Sequence, residues 1–138
     1  GLPSGPSNLA RALLVLQQAG LVKIKEGVNP ARISELDLAA NPHKLKFVAL
    51  EAAQLPRVLE DADYVVVNGN FAVSSGLKLS EAVVLEKTPD LYLNVVAVKT
   101  GNEKSQWAQD LAAAYRPPEF QAVVDTQFPG YSNPPFLK

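Results

Sequence analysis

The sequence predicts an α/β fold, and three observations carry that prediction. The run Tyr64-Val65-Val66-Val67-Asn68 has the β-branched continuity of a strand buried on both faces. A second run, Tyr92-Leu93-Asn94-Val95-Val96-Ala97-Val98, repeats the pattern and ends at the Thr100-Gly101-Asn102 turn. Helical stretches precede, separate and follow these runs, the order expected of a mostly parallel sheet flanked by helices. With 138 residues, 47% of them hydrophobic, the chain can bury a real core, and its length fits one domain best.

Each element has its own justification. Gly1-Leu2-Pro3-Ser4-Gly5-Pro6 reads as a loop, with neither the charged start nor the apolar centre of a signal peptide. Ser7 or Asn8 caps a helix running to about Ala19, where Gly20 stops it. Leu9, Ala10, Ala12, Leu13, Leu14, Val15 and Leu16 leave that helix little polar face, so it is covered on more than one side. Ser34-Glu35-Leu36-Asp37 starts a short helix near Asn29-Pro30, Asn41-Pro42-His43-Lys44 is a turn, and residues 45–50 form a short strand. Residues 54–61 are helical, with Pro56 in the first turn, where a missing N–H costs nothing. A short helix around Phe71-Ala72-Val73 leads to Gly76. Residues 105–115 form an amphipathic helix with Trp107, Leu111 and Tyr115 at helical spacing; Pro117-Pro118 ends it, and residues 119–127 form another. The tail through Pro129-Gly130 and Pro134-Pro135 is irregular.

Charge and composition narrow the function. Thirteen basic against 14 acidic residues leave a formal net charge of -1, which argues against a nucleic-acid footprint or a polybasic membrane patch. Cysteine is absent, which removes disulfides, thiol nucleophiles and thiolate metal sites. No stretch approaches the roughly 18 apolar residues of a membrane-spanning helix. Enzyme signatures are thin. The single histidine, His43, sits in a polar turn, and Glu60, Asp61 and Asp63 read as a solvated face, so neither a triad nor a metal site nor a cofactor is expected. No phosphate-binding glycine loop is present.

One charge stands out. Arg11 is placed in the first turn of the apolar opening helix, where the dipole is already positive, and a bound carboxylate or phosphate would resolve the conflict. Asn68 ends the Val-rich run, and Asn94 lies inside an apolar one, where its amide must find a partner. Guanidinium for carboxylate and amide oxygens for ammonium make a set that could hold a zwitterion. The plainer readings, a turn before Gly69 for Asn68 and a satisfied backbone group for Asn94, stand beside it. Arg57 is a second candidate anion contact, although a surface role suits it better.

Pro6-Ser7-Asn8-Leu9-Ala10-Arg11-Ala12-Leu13-Leu14-Val15-Leu16-Gln17 followed by Gly20-Leu21-Val22-Lys23-Ile24-Lys25 resembles the methionine-binding lipoproteins that deliver substrate to ATP-driven methionine importers. Asn41-Pro42, Leu50-Glu51-Ala52-Ala53-Gln54-Leu55-Pro56-Arg57, Asn68 with Phe71-Ala72 and Gly76-Leu77, and Tyr92-Leu93-Asn94-Val95 extend the likeness over most of residues 6–115. The resemblance implies a periplasmic-binding-protein-like lobe that closes on a free amino acid or a related compound. It implies that Arg11 pairs with the ligand carboxylate, that Asn68 and Asn94 bind its backbone polar groups, and that Asn8 supports the site. Residues 1–100 then correspond to the second ligand-binding lobe, and residues 101–138 to a C-terminal helical segment that packs on a first lobe absent from this chain. The parent protein would be lipid-anchored on the periplasmic or extracellular face of the cell envelope, with the membrane permease of an ABC importer as its partner. On this reading the chain has lost the apolar enclosure of the ligand side chain, so it binds weakly or not at all alone, and apolar surface around Trp107, Phe120 and Phe128 favours a homodimer or a domain swap. The alternative is a non-catalytic interaction module that docks a partner through its apolar helix and C-terminal tail.

Overall fold

The structure, a computed structural model, describes residues 1–131. It divides into two compact units, Gly1–Lys87 and Thr88–Lys138.

In the first unit, strand β1 (Leu2–Pro3) leads through Gly5 into helix α1 (Pro6–Gln18). The helix starts earlier than the sequence reading expected. Gly5 is the N-cap, in an extended conformation, and Pro6 takes the first helical position, where its fixed φ suits the helix and its missing N–H has no partner to lose. At the other end Gly20, at φ 75°, lets the Leu21 N–H reach the Leu16 carbonyl (2.9 Å) and its own N–H reach Gln17 (2.9 Å), a Schellman closure. Strands β2 (Lys23–Ile24) and β3 (Leu38–Ala40) then pair antiparallel. Between them lie two 3-10 turns, Pro30–Arg32 and Glu35–Asp37. The second is closed by Ser34, whose N–H and hydroxyl both donate to Asp37 Oδ2 at 2.8 Å. The Asn41 side chain bridges the N–H and carbonyl of Leu45, which shapes the following turn.

Strand β4 (Ala49–Leu50) pairs parallel with β1, so the α/β class holds, although the sheet is smaller than expected: among the described residues, one parallel pair and one antiparallel pair. The Val-rich run does not form a strand, and Pro3 explains why. Successive residues of β1 point their backbone groups to opposite sides; the Leu2 and Ser4 N–H groups bond Val48 and Leu50, while Gly1 bonds Tyr64 and Val66 on the other side. On that side the next donor would come from Pro3, which has none, so the ladder stops after one residue. Likewise only the last two of residues 45–50 join a strand. A 3-10 stretch, Ala52–Val58, carries Pro56, and helix α2 (Gly69–Ser74) ends before Gly76 at φ 79°.

The core of this unit is built mainly by α1. Ala10, Ala12, Leu13 and Leu16 pack with Leu2, Val22, Ile24 and Ile33, and half-buried Leu9, Leu38, Phe47 and Val66 close around them. Burying a leucine such as Leu13 fully contributes about 1.5–3 kcal/mol.

In the second unit, a 3-10 turn at Asp90–Tyr92 is followed by an irregular stretch and helices α3 (Gln106–Ala114) and α4 (Pro118–Gln127). The helices match the sequence reading to within a residue at each end. The expected strand over residues 92–98 does not form: Val95 is 82% exposed, and among the described residues no neighbouring strand pairs with it. Tyr115 and Phe120 meet edge to face at 5.1 Å across the turn between the helices. Residues 134–135, read as irregular from the sequence, lie outside the described residues.

Candidate ligand-binding site

Because α1 begins at Pro6, Asn8 occupies its third helical position and Arg11 its second turn rather than its first. The dipole fades within the first turn, so the electrostatic conflict expected at Arg11 is milder than the sequence suggested. What the helix does supply is geometry. Asn8 and Arg11 are three residues apart and therefore neighbours on one face.

Asn68 comes to that face from α2. It is the N-cap of α2, and its carbonyl accepts the N–H groups of Phe71 and Ala72 at 3.0 Å, but its side chain makes no cap bond. Instead Nδ2 donates to Asn8 Oδ1 at 3.1 Å, across 60 residues of sequence. That bond orients the amide, and Asn68 Oδ1 is buried with no hydrogen-bond partner. An unmet buried acceptor costs about 1–3 kcal/mol. A donor arriving from outside, an ammonium or an amide N–H, would recover it.

Arg11 already has an anion. Its Nε donates to Glu86 Oε1 at 2.9 Å and its Nη2 to Oε2, a two-pronged fork between side chains only 26% and 19% exposed. Sequence reasoning missed Glu86. The signal was present: one carboxylate at the end of the apolar run Val83-Val84-Leu85. It also missed Gln18, whose Nε2 donates to the Leu85 carbonyl (2.9 Å) and whose Oε1 accepts from the Lys87 N–H (3.2 Å). Asn94 belongs to the second unit, and its side chain is exposed rather than enclosed in a strand. Three of the four expected site residues thus stand in one unit, two of them directly bonded.

Elsewhere the first unit has an open bowl of about 440 Å³ lined by Glu35, Leu38, Asn41, Lys46 and Phe47 among others, which shares no residue with the Asn8–Arg11–Asn68 set. His43 is exposed in its turn. Among the described residues no three His, Cys, Asp or Glu side chains cluster to hold a metal ion, and no helix is long and apolar enough to cross a membrane.

An α/β lobe in which two helix starts bring polar side chains together is the architecture of the periplasmic substrate-binding proteins. Solved structures bear this out: a nutrient binding protein from Burkholderia cenocepacia bound to methionine superposes with a TM-score of 0.82 at 41% identity, over 94% of this chain and 55% of that one. A periplasmic substrate-binding protein of an ABC transporter from Coxiella burnetii gives 0.80 at 38% identity, over 92% and 53%. The NlpA lipoprotein family model matches residues 1–136, and the chain belongs to that family. The D-methionine-binding lipoprotein MetQ of Salmonella typhi is 36% identical over 132 residues, which are 94% of this chain and 48% of the relative. Lipoprotein 28 of Escherichia coli strain K12 is 32% identical over 136 residues, 96% of this chain and 50% of the relative. The resemblance to methionine-binding lipoproteins read from the sequence is correct, and the chain spans about half the length of the curated relatives it matches.

Proposed function

We propose that the chain is a ligand-binding lobe of a solute-binding protein that serves an ABC importer and takes methionine, a related amino acid or a methionine-containing dipeptide. Arg11 receives the ligand carboxylate, Asn68 and Asn94 bind its amino and other backbone polar groups, and Asn8 holds Asn68 in place. The observation that carries this reading is the buried, partnerless Asn68 Oδ1 beside Asn8, with Arg11 one turn along the same helix face. An acceptor and a guanidinium on one face are the complement of a zwitterion. The relative that was solved with methionine, at 41% identity, supports the choice of ligand.

Residues 1–100 act as the lobe and residues 101–138 as a helical segment that packs on the other lobe. The protein works by binding and closure, without catalysis, cofactor or metal, tethered by lipid at the cell envelope beside the permease. The lipoprotein names of its relatives support that location. Calorimetric titration with L-methionine, D-methionine and a methionine dipeptide tests the reading. Weak heats that vanish in Arg11→Ala are expected; heats unchanged by that substitution would sink it. Exposed Trp107 and Leu111 on α3, with Tyr115 at its C-terminal cap, favour a second reading, a module that docks a protein partner, and on that reading Arg11→Ala changes nothing.

A further inference from the structure

We propose that Glu86 and Gln18 are positioning residues for Arg11: together they seat residues 85–87 along α1 and hold the guanidinium in one orientation before a ligand carboxylate arrives. The proposal rests on the amino-acid-binding reading above and adds to it two residues and the order in which the site is built.

Arg11 and Gln18 are seven residues apart, about two helical turns, so they lie on one stripe of α1. The stripe grips a stretch that has neither helix nor ladder of its own, since residues 82–89 form no regular element. Gln18 uses its donor on the Leu85 carbonyl and its acceptor on the Lys87 N–H. A single amide that ties the backbone on both sides of Glu86 fixes where the main chain of that residue stands. Glu86 then takes the Nε–Nη2 edge of the guanidinium through both of its oxygens.

The energetic consequence is preorganisation. A free arginine side chain carries considerable rotamer entropy, and a fork on one edge removes much of it before binding. The guanidinium has five N–H donors in a fixed plane, more than one carboxylate can use. The opposite role, in which Glu86 occupies the place of the ligand carboxylate and must leave, predicts tighter methionine binding in Glu86→Gln.

The test uses ¹⁵N-labelled full chain, Glu86→Gln and Gln18→Ala, and L-methionine as the probe. Without ligand, the Arg11 Nε–H resonance should exchange with water slowly in the parent and about tenfold faster in Glu86→Gln. Gln18 is exposed, so Gln18→Ala keeps the fold and remains informative even if Glu86→Gln melts. It should speed exchange at the Lys87 amide and at Arg11 Nε–H together, a coupling that a local structural role would not produce. With ligand, Glu86→Gln should weaken methionine binding about tenfold, roughly 1.4 kcal/mol. Unchanged Arg11 Nε–H exchange in both variants, or tighter methionine binding in Glu86→Gln, overturns the proposal. A parent chain silent to methionine overturns the amino-acid reading and with it the ligand half of this one, whereas the ligand-free exchange data fail or succeed on the positioning alone.

Discussion

Replacing Asn68 by alanine sets stability against function at one atom. In the ligand-free chain Asn68 Oδ1 is buried and unbonded, while Nδ2 makes a single bond to Asn8. Removing the amide relieves about 1–3 kcal/mol of unmet desolvation and gives up about 0.5–1.5 kcal/mol for the bond to Asn8, which is only half-buried and can turn to water. The α2 cap survives, because the bonds to Phe71 and Ala72 come from the Asn68 main-chain carbonyl. Asn68→Ala should therefore change the unfolding free energy by between about 0.5 kcal/mol of loss and about 2.5 kcal/mol of gain, while abolishing the methionine response. Urea unfolding followed by circular dichroism measures the first, and calorimetric titration the second. A loss of more than about 2 kcal/mol would mean that the amide is an ordinary structural contact, and the argument for a waiting acceptor would fall.

Two further substitutions probe the frame around the site. Leu13→Ala, at a fully buried position of α1, should cost about 2–5 kcal/mol in the same urea assay, and a cost under about 1 kcal/mol would contradict the core assigned to α1. At Asp37, hydrogen bonds from the Ser34 N–H and hydroxyl hold the carboxyl below its ordinary value. A depressed carboxyl stabilises the fold above the unfolded-state pKa, and that contribution disappears as pH falls through the folded-state value. Ser34→Ala should move the Asp37 carboxyl resonance midpoint upward in an NMR titration and shrink the acid-dependent part of the stability, so that its loss is complete at a less acidic pH. An unmoved midpoint would contradict the assigned cause.

The legible part of this molecule was its helices. Apolar periodicity, Gly20 and Gly76 as stops and Pro117-Pro118 as a break lie within a few residues of where the helices begin and end, because those signals are local. The strands were read less well. Tyr64-Val65-Val66-Val67-Asn68 carries every compositional mark of a buried strand, yet a ladder needs a partner with donors in register, and Pro3, far back in the sequence, lacks one. Nothing in the run itself records that. Residues 92–98 failed for the related reason that, among the described residues, no strand of the second unit lies beside them. At the site, Asn8, Arg11 and Asn68 were found by residue type and resemblance. Glu86 and Gln18 were not, because their meaning lies in bonds that span 75, 67 and 69 residues.

Helix α1 presents Ala10, Ala12, Leu13 and Leu16 to the core on one arc and Asn8, Arg11 and Gln18 on another. The two arcs share a single rotational phase. One residue inserted just after Arg11 would turn Asn8 and Arg11 by about 100° against the buried side chains downstream, carrying the guanidinium toward the core. Substitutions at either arc can be absorbed one at a time, but a change of length within this helix would forfeit packing and grip in one step, so the reading frame of α1 is the least editable part of the chain.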